Sequence, residues 1–181
     1  MEKRYIFKSW NENWDYDYDI QGESFRKIIE ACGKYCEYVS FWYFHANDEK
    51  RQHYSELAPF LTQTPEWGKK FLVPYSYDPS GHCDIAVRFY KVCPELLETM
   101  LKISDKMFTW LDRSDCSNPE DPTFYRSDGS VFLDTVVHDW QCVLSPREGE
   151  DVKDILSAEV WEKYDGPFPL KIVPDNWWTV L

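Results

Sequence analysis

The chain has 181 residues, a formal net charge of −12 and 18% aromatic residues. At 43% hydrophobic it can bury one sizeable core and offset the entropy of ordering, which excludes the disordered class. The acidic balance, 20 Lys and Arg against 32 Asp and Glu, argues against nucleic acid and anionic membranes as partners, since both need clustered cations.

No stretch approaches the roughly 18 consecutive apolar residues of a transmembrane helix. Lys3 and Arg4 are not followed by a long apolar segment, so no export signal is expected and a cytoplasmic location is. In that compartment the six cysteines are expected as thiols rather than as bridges.

Residues 4–8 read as a short strand. Over residues 10–22, Trp14, Tyr16, Tyr18 and Ile20 alternate with Asp15, Asp17 and Asp19, which in an extended chain puts rings on one face and carboxylates on the other. The period then changes. Phe25, Ile28, Ile29, Cys32 and Cys36 recur at helical spacing, predicting an amphipathic helix over 23–37 with both thiols on its buried stripe. Tyr38 to His45, all β-branched or aromatic apart from Ser40 and the final His, predicts a central strand.

Asn47 can cap a short polar helix over 48–57, with Pro59 as its stop. Prolines at 59, 65, 74 and 79 mark residues 59–83 as an irregular connection, long enough to be a functional loop or to hide an element. Residues 84–92 read as a strand. Pro94 fits the first turn of a helix carrying Leu96, Leu97, Met100, Leu101, Ser104, Met107, Phe108 and Leu111. A polar break at 112–122 is the one weak candidate for a domain boundary.

Next comes a hairpin over 123–137, whose Asp128-Gly129 supplies the positive φ angles of a tight turn. Residues 138–144 predict a further strand and residues 148–164 a polar helix carrying Val152, Ile155, Leu156, Val160 and Trp161. The tail from Phe168, with Trp177 and Trp178, is expected to pack on the body. No internal repeat is visible. Helices and strands in this order, with hairpins late, argue for one α+β domain over residues 1–181, with a mixed or antiparallel sheet packed by two or three amphipathic helices.

The chemistry is sparse. The aspartate ladder begins like a calcium loop, but Ile20 stands where the Gly should be and Arg26 where the Glu should be, so no metal is expected there. There is no Cys-x-x-Cys and no His-Glu-x-x-His, hence no strong zinc spacing. The seven glycines are too scattered for a phosphate loop or a Gly-x-Ser-x-Gly elbow, and no cofactor is expected.

The best enzymatic pattern is a Cys83 or Cys142 nucleophile with His138 or His45 as base, placed between the sheet and the 59–83 loop. Asp134 would share a strand face with His138 if that strand ran straight through. Buried inert thiols and an ordinary surface carboxylate beside an ordinary histidine are the plainer readings of these residues.

The reading preferred is a non-catalytic cytoplasmic binding or regulatory protein, inhibitor- or immunity-like. It would engage a basic protein through Asp15, Asp17, Asp19, Tyr16 and Tyr18, because carboxylates steer a cationic partner and tyrosines give contact area at low rotamer cost. A small hydrolytic or thiol-dependent enzyme is the alternative. A homo-oligomeric structural module is the third class, and the oligomeric state is left open by the sequence.

Overall fold

The structure, a computed structural model, describes residues 3–8, 19–44, 56–71, 75–76, 84–108, 119–137, 139–166 and 168. Its strands are β1 (Tyr5–Lys8), β2 (Tyr38–Phe44), β3 (Tyr75–Ser76), β4 (Asp84–Lys91), β5 (Glu120–Tyr125), β6 (Val131–Val136), β7 (Gln141–Leu144) and β8 (Glu162–Lys163). Accompanying them are the α-helices α1 (Glu23–Tyr35), α2 (Pro94–Ile103) and α3 (Lys153–Ala158). The strands form one sheet in the order β3-β4-β2-β5-β6-β7-β1-β8, antiparallel at every junction. This is a single α+β domain. Because β5 lies between β2 and β6, residues before and after the polar break at 112–122 share the same sheet. Residues 112–118 of that break lie outside the described residues.

The helices cover one face. On β2 the alternation that the pleat imposes turns Val39, Phe41 and Tyr43 toward them, and the apolar stripe of α1, Phe25, Ile28, Ile29 and Cys32, meets those side chains in the main core. Each such aliphatic side chain contributes roughly 1.5–3 kcal/mol by burial. Leu96 and Met100 of α2 and Ile155 of α3 complete that layer. Leu97 of α2 sits where a β-carbon at Gly33 would be, so the two helices approach closely there.

The opposite face carries a smaller cluster of Val87, Phe89, Tyr125 and Val131. It is capped by Trp67, whose ring centroid lies 4.9 Å from that of Tyr125 and 5.7 Å from those of Tyr38 and Phe89. Trp67 belongs to a 3₁₀ helix, Glu66–Phe71, inside the connection read from sequence as irregular. Residues 56 and 57 are α-helical, and at Ala58–Phe60 the helix gives way to a second 3₁₀ turn, which contains Pro59. Residues 48–55 of the polar helix expected before it lie outside the described residues.

Three elements are shorter than their periodicity suggests, each because a side chain captures the backbone. The helix expected to reach Leu111 stops at Ile103: Ser104 is extended, its Oγ accepts from the Lys106 amide at 3.0 Å, and the chain turns back. There Gly22 N–H bonds to the Asp105 carbonyl at 2.8 Å and Met107 N–H to the Ile20 carbonyl at 3.0 Å. The helix expected over 148–164 is only α3, because Glu150 builds a turn before it, Oε2 accepting from the Arg147 amide at 2.7 Å. Val160, expected on its apolar stripe, is 76% exposed.

The strand carrying Asp134 ends at Val136. The buried Asp121 carboxylate accepts from Val137 N–H at 2.7 Å and starts a turn that continues through Trp140 at φ 51°. In the hairpin only Gly129 takes a positive φ, 80°. Arg126 N–H bonds to the Ser130 carbonyl at 2.9 Å, so Ser127, Asp128 and Gly129 form a three-residue loop instead of a two-residue turn. Among the described residues no helix is long and apolar enough to cross a membrane.

Candidate functional site

The acidic, aromatic segment is framed by described residues on both sides. Before it, β1 buries Ile6 and Phe7, and the Phe7 ring stacks on Phe108 with centroids 5.9 Å apart and planes 21° apart. After it, one oxygen of the Asp19 carboxylate accepts from the backbone amides of Met107 at 3.1 Å and Phe108 at 3.0 Å. The neighbouring Ile20 is fully buried. The described residues on both sides of residues 9–18 thus rest on Phe108.

The rings extend this support. Phe7 meets Trp161 at 5.8 Å and Phe108 meets Trp140 at 5.7 Å, a continuous row Trp161–Phe7–Phe108–Trp140. Asp15, Tyr16, Asp17 and Tyr18 lie outside the described residues, as do Trp10 and Trp14. Asp19 was expected among the outward carboxylates, but its Oδ1 serves the fold. No local pattern announces this, because the amides it receives are 88 and 89 residues away in sequence.

The cysteine–histidine pattern fares differently. Cys142 is fully buried on β7; burial pushes its thiol well up, and the carboxylates of Asp134 and Asp19 push it further the same way. An activated nucleophile needs an electropositive, partly exposed setting, the reverse of this one. Cys32 is likewise buried and its thiol raised, first by burial and then by a hydrogen bond with Cys36. Cys83, His45 and His138 lie outside the described residues.

Asp134 is fully buried and accepts from the Thr123 hydroxyl at 2.7 Å. It stands on β6, which ends two residues before His138, so the straight strand that would align the two is not formed. Near it, Ser40 Oγ and the Tyr125 hydroxyl are 3.1 Å apart, and burial drives the Tyr125 phenol well above its ordinary range. Sequence reading passed over this row. Its signal is the same-face register of Ser40 with Thr123 and of Tyr38 with Tyr125 between β2 and β5, visible only once the strands are paired. Hydroxyls and carboxylate satisfy one another as buried polar groups must.

The space proposed for an enzyme site, between sheet and 59–83 loop, is occupied by ring packing where it is described. Trp67 lies on the sheet, and a β-carbon at Gly68 would come within 2.9 Å of the Phe89 ring. A described concavity lies elsewhere, an open groove of about 720 Å³ between Lys3 and Tyr5 on one side and residues 146–156 on the other. Two of its charges are held internally, Arg147 by Asp128 at 2.7 Å and Glu150 by Arg126 at 2.6 Å. A smaller hollow of about 280 Å³ beside α1 shares Asp151 and Val152 with it. Among the described residues no group of three or more His, Cys, Asp or Glu is placed to hold a metal ion.

Comparison with protein-family models, with curated proteins and with solved structures finds no match to this chain.

Proposed function

We propose that this chain is a non-catalytic cytoplasmic binding protein, inhibitor- or immunity-like, that engages a basic protein through Asp15, Tyr16, Asp17 and Tyr18. The observation that carries the reading is the shared support of the segment's two ends: Phe7 stacks on Phe108, and Asp19 binds the Phe108 amide. A recognition segment gains affinity when its ends are held on a rigid body, because less freedom is lost on binding. The segment also interleaves the two side-chain types suited to a cationic partner: carboxylates for steering and tyrosines for contact. Free thiols at Cys32, Cys36, Cys93 and Cys142 accord with a reducing compartment.

The test is binding to a labelled ten-residue Lys/Arg-rich peptide, with an acidic peptide of equal length as control. The basic peptide is expected to bind, more weakly as salt rises, and Asp15→Asn with Asp17→Asn is expected to weaken it about tenfold at low ionic strength. Equal binding of both peptides, or no effect of the double variant, would overturn the reading.

A further inference from the structure

We infer that the groove between β1 and residues 146–156 is the docking face for a second copy of this chain, related by a two-fold axis, with Val160 of each copy entering the groove of the other. The inference goes beyond the proposed function and does not depend on it. The groove is open and holds about 720 Å³. Tyr5, Pro146 and Leu156, all half-buried, give it an apolar lining.

The charges around that lining select the occupant. A chain carrying −12 repels its own copies over most of its surface, so two copies meet best where the local charge sums to zero. In the groove the signs balance, Lys3, Arg147 and Lys153 standing against Glu148, Glu150 and Asp151. Arg147 and Glu150 are held by Asp128 and Arg126, whereas Lys3, Lys153, Glu148 and Asp151 take part in no ion pair among the described residues. Two ammonium and two carboxylate groups on one face are complementary to themselves: a two-fold axis sets the lysines of one copy against the carboxylates of the other, as an isologous contact requires.

A groove also needs something to fill it. Val160 and Leu61 are the exposed large apolar side chains among the described residues, at 76% and 52%. Leu61 bridges Tyr90 of β4, toward the other end of the sheet. Val160 stands in the three-residue link from α3, which gives Leu156 to the groove, to β8, where Lys163 lies directly opposite Tyr5. Knob and groove therefore belong to neighbouring parts of one face. That is the condition for a reciprocal contact that closes at two copies; a knob and groove on unrelated faces would build an open chain.

Sedimentation velocity of the full chain from about 5 to 500 μM tests the inference. The wild type is expected to pass from monomer to dimer within that range and to go no further. Val160 is exposed in the monomer, so Val160→Glu leaves folding intact; in the dimer it places a carboxylate in an apolar lining, and association is expected to weaken at least tenfold. Val160→Leu is expected to keep the wild-type association within about threefold. Two charge-reversed proteins, Lys3→Glu with Lys153→Glu and Glu148→Lys with Asp151→Lys, are expected to be monomeric alone and to pair when mixed.

A wild type that stays monomeric throughout, a dimer indifferent to Val160→Glu, or reversed proteins that remain apart on mixing would each overturn the inference. Growth beyond two copies would do the same, because a two-fold contact leaves no free end. Binding of the Lys/Arg-rich peptide is a separate reading: its failure would remove the proposed function and leave the dimer result standing.

Discussion

Arg126 directs its guanidinium into the fold. Nε and Nη2 take the two oxygens of Glu150 at 2.7 and 2.6 Å, Nη2 also reaches the Ser145 carbonyl at 2.7 Å, and Nη1 the Val131 carbonyl at 2.8 Å. The side chain is 7% exposed and that of Glu150 12%, so Arg126→Ala would leave a nearly buried carboxylate and two carbonyls without their donor. A loss of about 3–5 kcal/mol in urea unfolding is expected, and Arg126→Lys should recover little of it because an ammonium cannot reproduce the planar fork. Burial pushes the Glu150 carboxyl up, but hydrogen bonds from Arg126 and the Arg147 amide outweigh it and hold the group below its ordinary value. The Asp128 carboxyl is also held well below its ordinary value, by Ser130 first and then by Arg147. Both groups stabilise the fold fully above the unfolded carboxylate range, about pH 4, and lose that contribution as pH falls through their depressed folded values. The urea midpoint should accordingly fall on the acid side of about pH 4, and Glu150→Gln should lower it at pH 7 while flattening that acid limb. Asp128, about half exposed, should contribute less because solvent screens it. None of this pairing was legible in sequence: Arg126 and Glu150 are 24 residues apart and meet only because the end of β5 and the end of β7 both lie beside the start of β6.

At the scale of elements, the 3₁₀ helix around Trp67 is held by a reciprocal fit with the hairpin turn. Gly129 has φ 80°, and a β-carbon there would lie 2.5 Å from Trp67 Cδ2. Gly129→Ala thus meets both backbone strain and a ring, and a loss of about 2 kcal/mol is expected, with Trp67→Ala costing a similar amount by emptying the cup. If Trp67→Ala also removed the penalty of Gly129→Ala in the double variant, the contact would be established as the cause; additive losses would deny it. Periodicity found α1 and β2 to within two residues because both bury one side against the same core. It overran α2 and α3, where Ser104 and Glu150 take the backbone into turns. A helical pattern shows which residues can share a face, and a single side-chain acceptor, worth about 1 kcal/mol, can still end the helix sooner. The 59–83 connection hid its short helices because 3₁₀ turns carry no long periodicity.

For the whole molecule, the buried rings among the described residues divide between two sheet faces. Phe7, Phe25, Phe41, Tyr43, Phe108, Phe124 and Phe132 fill the helix-covered core, and Phe89 and Tyr125 fill the other side. Access to that core is the property that separates the binding reading from a thiol enzyme using Cys142. A thiol reagent should modify Cys36 and Cys93, both half-buried, on the order of a thousandfold faster than Cys142, which waits for global opening. Rapid modification of Cys142 in the native protein would restore it as a nucleophile. The α+β class was readable because element order and the late hairpin decide it; the proposed site was visible only as a pattern of charges and rings, and the contacts between residue 19 and residues 107–108 were not legible in it.

The most direct measurement is the affinity of the Lys/Arg-rich peptide as a function of ionic strength, for wild type and for the Asp15→Asn, Asp17→Asn double variant. Binding that weakens with salt in the wild type, and that in the variant is about tenfold weaker with a shallower salt dependence, is the expected result. The same affinity and the same salt dependence in both proteins would contradict it.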